Sequence, residues 1–117
     1  MTATTIGAPA KFFTDLGGLH DAKVLAIDWD NVAASLSLAV DDINSNFKGL
    51  PEYRGRAPAT VRFSGVTGLG LHFDAPNDGP LRVYEIECTE SGSDLSLAVM
   101  LAPGGKLVFS CRSVDLA

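Results

Sequence analysis

The sequence predicts an all-β fold: a mainly antiparallel sandwich or strongly curled sheet of about seven strands, with one short N-terminal helix. Two observations lead there. Apolar residues recur with period two in one segment after another, and Gly, Pro, Asn or Asp clusters separate most of those segments by a few residues. A third, the 117-residue length with 46% hydrophobic residues, 20% charged residues and mean hydropathy +0.19, fits one packed domain over residues 1–117.

Residues 1–8 read as a flexible Thr/Ala-rich leader. Pro9 to Leu16 places Phe12, Phe13 and Leu16 at helical spacing and is stopped by Gly17-Gly18. From Lys23 the period changes to two. Leu25, Ile27 and Trp29 alternate with Ala26 and Asp28, and beyond Asp30-Asn31 the residues Leu36, Leu38 and Val40 alternate with small polar ones, which makes a hairpin. The apolar sets share one buried face when a loop of two or four residues lies around Asp30 to Ala33.

Further strands are Thr60 to Val66, carrying Val61 and Phe63, and Leu69 to Phe73, with a turn at Thr67-Gly68. Asp74 to Pro80 is dense in turn residues. Leu81 to Cys88 sets Tyr84, Ile86 and Cys88 against Glu85 and Glu87. After Ser91-Gly92-Ser93, the residues Leu95, Leu97, Val99 and Leu101 alternate; after Pro103-Gly104-Gly105, Leu107, Phe109 and Cys111 form the last strand. The strand Ser96 to Ala102 also has Ala98, Met100 and Ala102 on its second side, which marks a central strand or a homodimer contact.

The span 42–59 has no periodicity, holds Pro51 and Pro58, and gathers Lys48, Arg54 and Arg56 beside Phe47 and Tyr53 in an otherwise acidic chain. Loops this long in a compact domain are commonly functional or disordered, and Arg and aromatic residues dominate interface hot spots. Phe47, Tyr53, Arg54 and Arg56 are therefore the candidate partner-binding residues.

The net charge of -5 and pI near 4.7 oppose nucleic-acid binding, which needs clustered Lys and Arg, and favour a basic protein partner. The first residues lack a positive n-region and an apolar h-region, and no apolar run approaches bilayer length. A cytoplasmic protein without membrane partners is expected. Cys88 and Cys111 fit reduced core thiols, and the two histidines, His20 and His72, have no ligand-spaced neighbours, so no metal or other cofactor is expected.

No serine stands in a GxSxG elbow, and the glycines of "SGVTGLGL" join strand to strand, whereas phosphate loops open helices. A non-enzymatic protein is expected. The His20-Asp21 pair is the alternative polar site, for a small ligand or a metal, and its ordinary role is to satisfy backbone groups before a strand. A fully extended first hairpin with the four-residue loop would set Asp21 opposite Asp42, with Asp41 and His20 close by, and like charges there predict either that the strands splay or that a cation or a basic partner group neutralises them.

The stretches "LHDAKVLAIDWD", "ATVRFSGVTGLGLHF" and "VMLAPGGKLVFSCRSVDL" resemble the bacterial immunity protein 50 family of polymorphic toxin systems. The matching marks are His20, Asp21 and Ala22, then Val61, Phe63 and Val66, then Leu69 to Phe73, and finally Gly104, Gly105, Phe109 and Cys111. Where the family has an Asn-rich polar segment, this chain has Asp74-Ala75-Pro76-Asn77. The resemblance implies a protein that binds and neutralises a cognate toxin. A purely structural homodimer domain is the other expectation.

Overall fold

The computed structural model describes residues 4–74 and 80–117; most of the turn expected from Asp74 to Pro80 lies outside them. Among the described residues, nine strands form two antiparallel sheets. Their chain order is β1 (Thr4–Thr5), α1 (Pro9–Asp15), β2 (Val24–Asp30), β3 (Ser35–Val40), β4 (Ala59–Ser64), β5 (Thr67–Phe73), β6 (Arg82–Ser91), β7 (Asp94–Ala102), β8 (Gly105–Cys111) and β9 (Ser113–Leu116). One sheet has the order β1-β9-β4-β3-β2 and the other β5-β8-β7-β6. The all-β sandwich with one short helix is the fold the alternation predicted.

The β2–β3 hairpin closes with a four-residue loop, pairing Trp29 with Leu36 and Ile27 with Leu38. Leu36, Leu38 and Val40 are buried as expected. Leu25 is not: a bulge between Val24 and Ala26 turns it outward, to 61% exposure. Trp29 lies on the core side but at the sheet's edge, so it stays 40% exposed. A second bulge, between Val83 and Glu85, removes Tyr84 from the inward set of β6 and leaves Val83 and Ile86 to pack.

Two strands correct the sequence reading. The leader is not wholly flexible, because Thr4 and Thr5 pair with Leu116 and Asp115 and the Ile6 amide donates to the Val114 carbonyl at 2.9 Å. β-branched Thr4 and Thr5 thereby cover one edge of β9. The chain also continues past Cys111 into β9, which belongs to the opposite sheet.

Gly65-Val66 and Arg112 are the points where the chain changes sheet, so the expected turn at Thr67-Gly68 is a crossover two residues earlier. β4 pairs β9 in one sheet and β5 pairs β8 in the other, and Ser64↔Ser113 and Thr67↔Ser110 keep one register across the bend. The pair is a single bent ribbon shared by both sheets. At the bend the Arg112 amide donates to the Ser64 carbonyl at 2.9 Å, and Gly65, at φ +69, lies under the Arg112 side chain, where a Cβ would come within 3.1 Å. On the far side, an antiparallel bridge between Lys23 and Arg82 ties β2 to β6.

The core is closed by an aromatic stack that joins all layers. Phe13 of α1 stacks on Phe63 of β4 at 6.3 Å, and Phe63 meets Phe109 of β8 edge-on at 4.9 Å. α1 stops after Asp15, and Gly17 and Gly18, at φ +65 and +67, swing the chain into a short 3₁₀ turn, Gly17–Leu19, that buries Leu19.

Candidate functional site

The loop 42–59 is built on one carboxylate. Asp42, only 5% exposed, accepts hydrogen bonds from the Asn44 amide at 2.9 Å, the Ala57 amide at 3.1 Å and the Tyr53 hydroxyl at 2.7 Å. Both ends and the middle of the loop therefore converge on one side chain. Burial pushes the Asp42 carboxyl up, but the Tyr53 hydroxyl, the Ala57 and Asn44 amides and the Lys48 charge outweigh it and hold the group below its ordinary 3.8. The same bond raises the Tyr53 phenol above its ordinary 10.0, because ionising it would set two anions together.

Further bonds stiffen the span. The Ile43 amide donates to Ala57, the Asn44 side-chain amide to the Gly55 carbonyl, and the Leu50 and Tyr53 amides close successive turns on Phe47 and Leu50. Asp42 carries this arrangement, a role beyond the charge repulsion with Asp21 that the sequence predicts for it. The signal was Asp42-x-Asn44, an Asx-turn spacing at the end of a strand.

Phe47, Pro51, Tyr53 and Arg54 line an open hollow of about 780 Å³, bounded by Asp15 and Leu16 at the end of α1. Three of the four expected partner-binding residues are thus brought together; Arg56 is exposed and lies outside the lining. Tyr53 is half-buried and spends its hydroxyl on Asp42, so its role in the hollow is coupled to holding the loop.

His20 and Asp21 sit where the 3₁₀ turn meets β6. The Tyr84 carbonyl can only accept, so His20 Nδ1 carries the proton and donates to it at 2.7 Å, with the two rings edge-on at 5.6 Å. His20 Nε2 is 3.7 Å from Asp21 Oδ2, too far for a hydrogen bond. The His20 carbonyl accepts from Ser45 Oγ at 2.6 Å, which ties this corner to the 42–59 loop.

Asp21, at φ +68, gives its amide to the Val83 carbonyl of the opposite sheet. Beyond Val24 and Val40 the hairpin continues for one more pair, in which the Asp41 amide donates to the Lys23 carbonyl at 3.1 Å. Asp41 takes the Lys23 amide at 2.8 Å, and Asp42 turns inward instead of facing Asp21.

His72 Nε2 pairs with Asp74 Oδ1 at 2.8 Å on the surface. Among the described residues, no group of three or more His, Cys, Asp or Glu is close enough to hold a metal ion, and no helix is long and apolar enough to cross a membrane. Cys88 and Cys111 are free thiols on the inner face of β6 and β8, with β7 between them. Two strand spacings of about 4.8 Å separate their backbones by more than a disulfide spans.

No family model matches the chain, and no curated protein matches it. Among solved structures, it is similar to an uncharacterised protein from Neisseria gonorrhoeae at a TM-score of 0.55 and 11% identity, over 99% of this chain and 97% of that one. That likeness is one of fold alone.

Proposed function

We propose that the chain is a non-enzymatic binding module of the bacterial cytoplasm, an immunity protein that captures a cognate protein toxin and neutralises it by occlusion. The observation that carries this reading is the 42–59 loop, held by buried Asp42 so that Phe47, Pro51, Tyr53 and Arg54 surround one open hollow. A loop already fixed in place loses little entropy on binding, and aromatic and Arg anchors in a hollow are what interface hot spots use. The net charge of -5 supports attraction of a basic partner. The resemblance of "LHDAKVLAIDWD" and the later strands to the immunity protein 50 family supports the toxin as that partner.

The experiment is co-expression with the product of the neighbouring reading frame, followed by affinity capture with the wild type and with Arg54→Ala. Arg54 is exposed and has no described hydrogen bond to lose, so truncating this anchor should weaken capture at least about tenfold while leaving the melting temperature unchanged. A neighbour that encodes no toxin and is not captured overturns the reading. Capture indifferent to Arg54→Ala moves the site away from this loop.

A further inference from the structure

The two outer sheet faces differ in chemistry. On the β1-to-β2 sheet, one row across the strands reads Asp28, Ser37, Arg62, Asp115 and Thr5, a face suited to water. On the other sheet, inward Leu97 and Val99 leave Ala98 and Met100 of β7 pointing out, with Val108 of β8 beside Ala98. Met100 is 37% and Val108 44% exposed.

The charges flanking this apolar strip are arranged asymmetrically. Register places Lys106 of β8 next to Met100 on one side and Glu85 of β6 next to it on the other, with Glu87 beside Ala98. Lys106, Glu85 and Glu87 are all exposed, and none has a salt bridge among the described residues. A two-fold axis running along β7 in the plane of contact would lay Met100 on its own copy. It would also carry β6 of one chain over β8 of the other at the same height along the strand, so that Glu85 meets Lys106 twice. A foreign partner gives no reason for cation and anion to stand on the same row, on opposite sides of the strip; a second copy does.

We infer that the outer face of β5-β8-β7-β6 is the contact surface of a symmetric homodimer, sheet on sheet, with Met100 and Ala98 at the centre and Glu85–Lys106 pairs on both flanks. This surface adjoins the 42–59 loop at one flank, where Glu85 and Asn46 line a common hollow, and its centre at Met100 and Ala98 does not depend on the toxin reading. Four strands about 4.8 Å apart and some six residues long cover roughly 20 by 20 Å, or about 800 Å² over both partners, below the roughly 1,200 Å² of stable interfaces, so the dimer is weak and concentration-dependent.

Sedimentation velocity of the full chain from micromolar to millimolar concentration tests it. The weight-average mass should climb from 12.3 kDa toward twice that value. Lys106→Glu and Glu85→Lys, each alone, should raise the dissociation constant at least about tenfold with unchanged circular dichroism, and the two together should restore the dimer. A chain that stays monomeric throughout, or a dimer indifferent to both single reversals, overturns the inference. Should one reversal unfold the chain, the other carries the same test.

Discussion

Removing the Asp42 carboxylate should release Tyr53, Asn44 and Ala57 together, since all three bond to it. Asp42→Ala is expected to cost about 3 kcal/mol, the scale of losing charge-assisted bonds at a buried acceptor, measured by urea unfolding. The pH dependence has a definite sign. The folded pKa lies below 3.8, so the contribution is present above that value and is lost as pH falls below it toward the folded value. Asp42→Asn should flatten that acid limb, and an unchanged limb would remove Asp42 from its cause. Tyr53→Phe, which keeps the ring, should lower the melting temperature while leaving the hollow's shape, separating the hydroxyl's structural work from the ring's part in binding.

The thiols give a second residue-scale expectation. Burial pushes Cys111 up to about 11, with Cys88 and Asp94 adding to it, and burial beside Glu90 raises Cys88 as well. Thiolate is the reactive form, so both cysteines should resist a thiol reagent in the native protein and react at once in denaturant. Cys111 favours folding below about 9, and that contribution disappears as pH climbs from about 9 to about 11. Fast native labelling of Cys111 would contradict its burial.

At the scale of elements, the aromatic contacts at Phe63 decide how α1 and the sheets hold together. Phe63→Ala should cost about 4 kcal/mol and loosen α1 first, seen as early hydrogen exchange in residues 9–15. Strands buried on one face were plain in the sequence, because Leu36, Leu38, Val61, Phe63, Leu97 and Leu107 all obey period two. The bulges were not. Leu25 and Tyr84 sit in phase with their neighbours on paper, and only an extra backbone residue turns each outward.

The sheet change was half-visible. Cys111 and Val114 are both buried three residues apart, a break in phase that marks the bend at Arg112. The β1–β9 pairing needed the knowledge that β9 has an open edge, which no local pattern carries. For the site, residue types pointed to Phe47, Tyr53 and Arg54. The anchor at Asp42 showed locally only as its Asx-turn spacing to Asn44, because its other backbone bond, from the Ala57 amide, comes from the far end of the loop.

Across the whole molecule, an acidic chain that captures a basic partner should associate more slowly as salt rises, since the Debye length shrinks from about 10 Å at 0.1 M. Stopped-flow association rates at two ionic strengths check this, and a salt-independent rate would make the -5 charge irrelevant to encounter.

The bent ribbon of β4–β5 and β8–β9 has its own bearing on how the protein comes apart. Each layer pairs its own strands, but the two share one core and are joined at the bend without a loop, so melting one layer would bare the apolar face of the other. Calorimetry should accordingly give a lone endotherm whose van't Hoff and measured enthalpies agree. The molecule yields as one body.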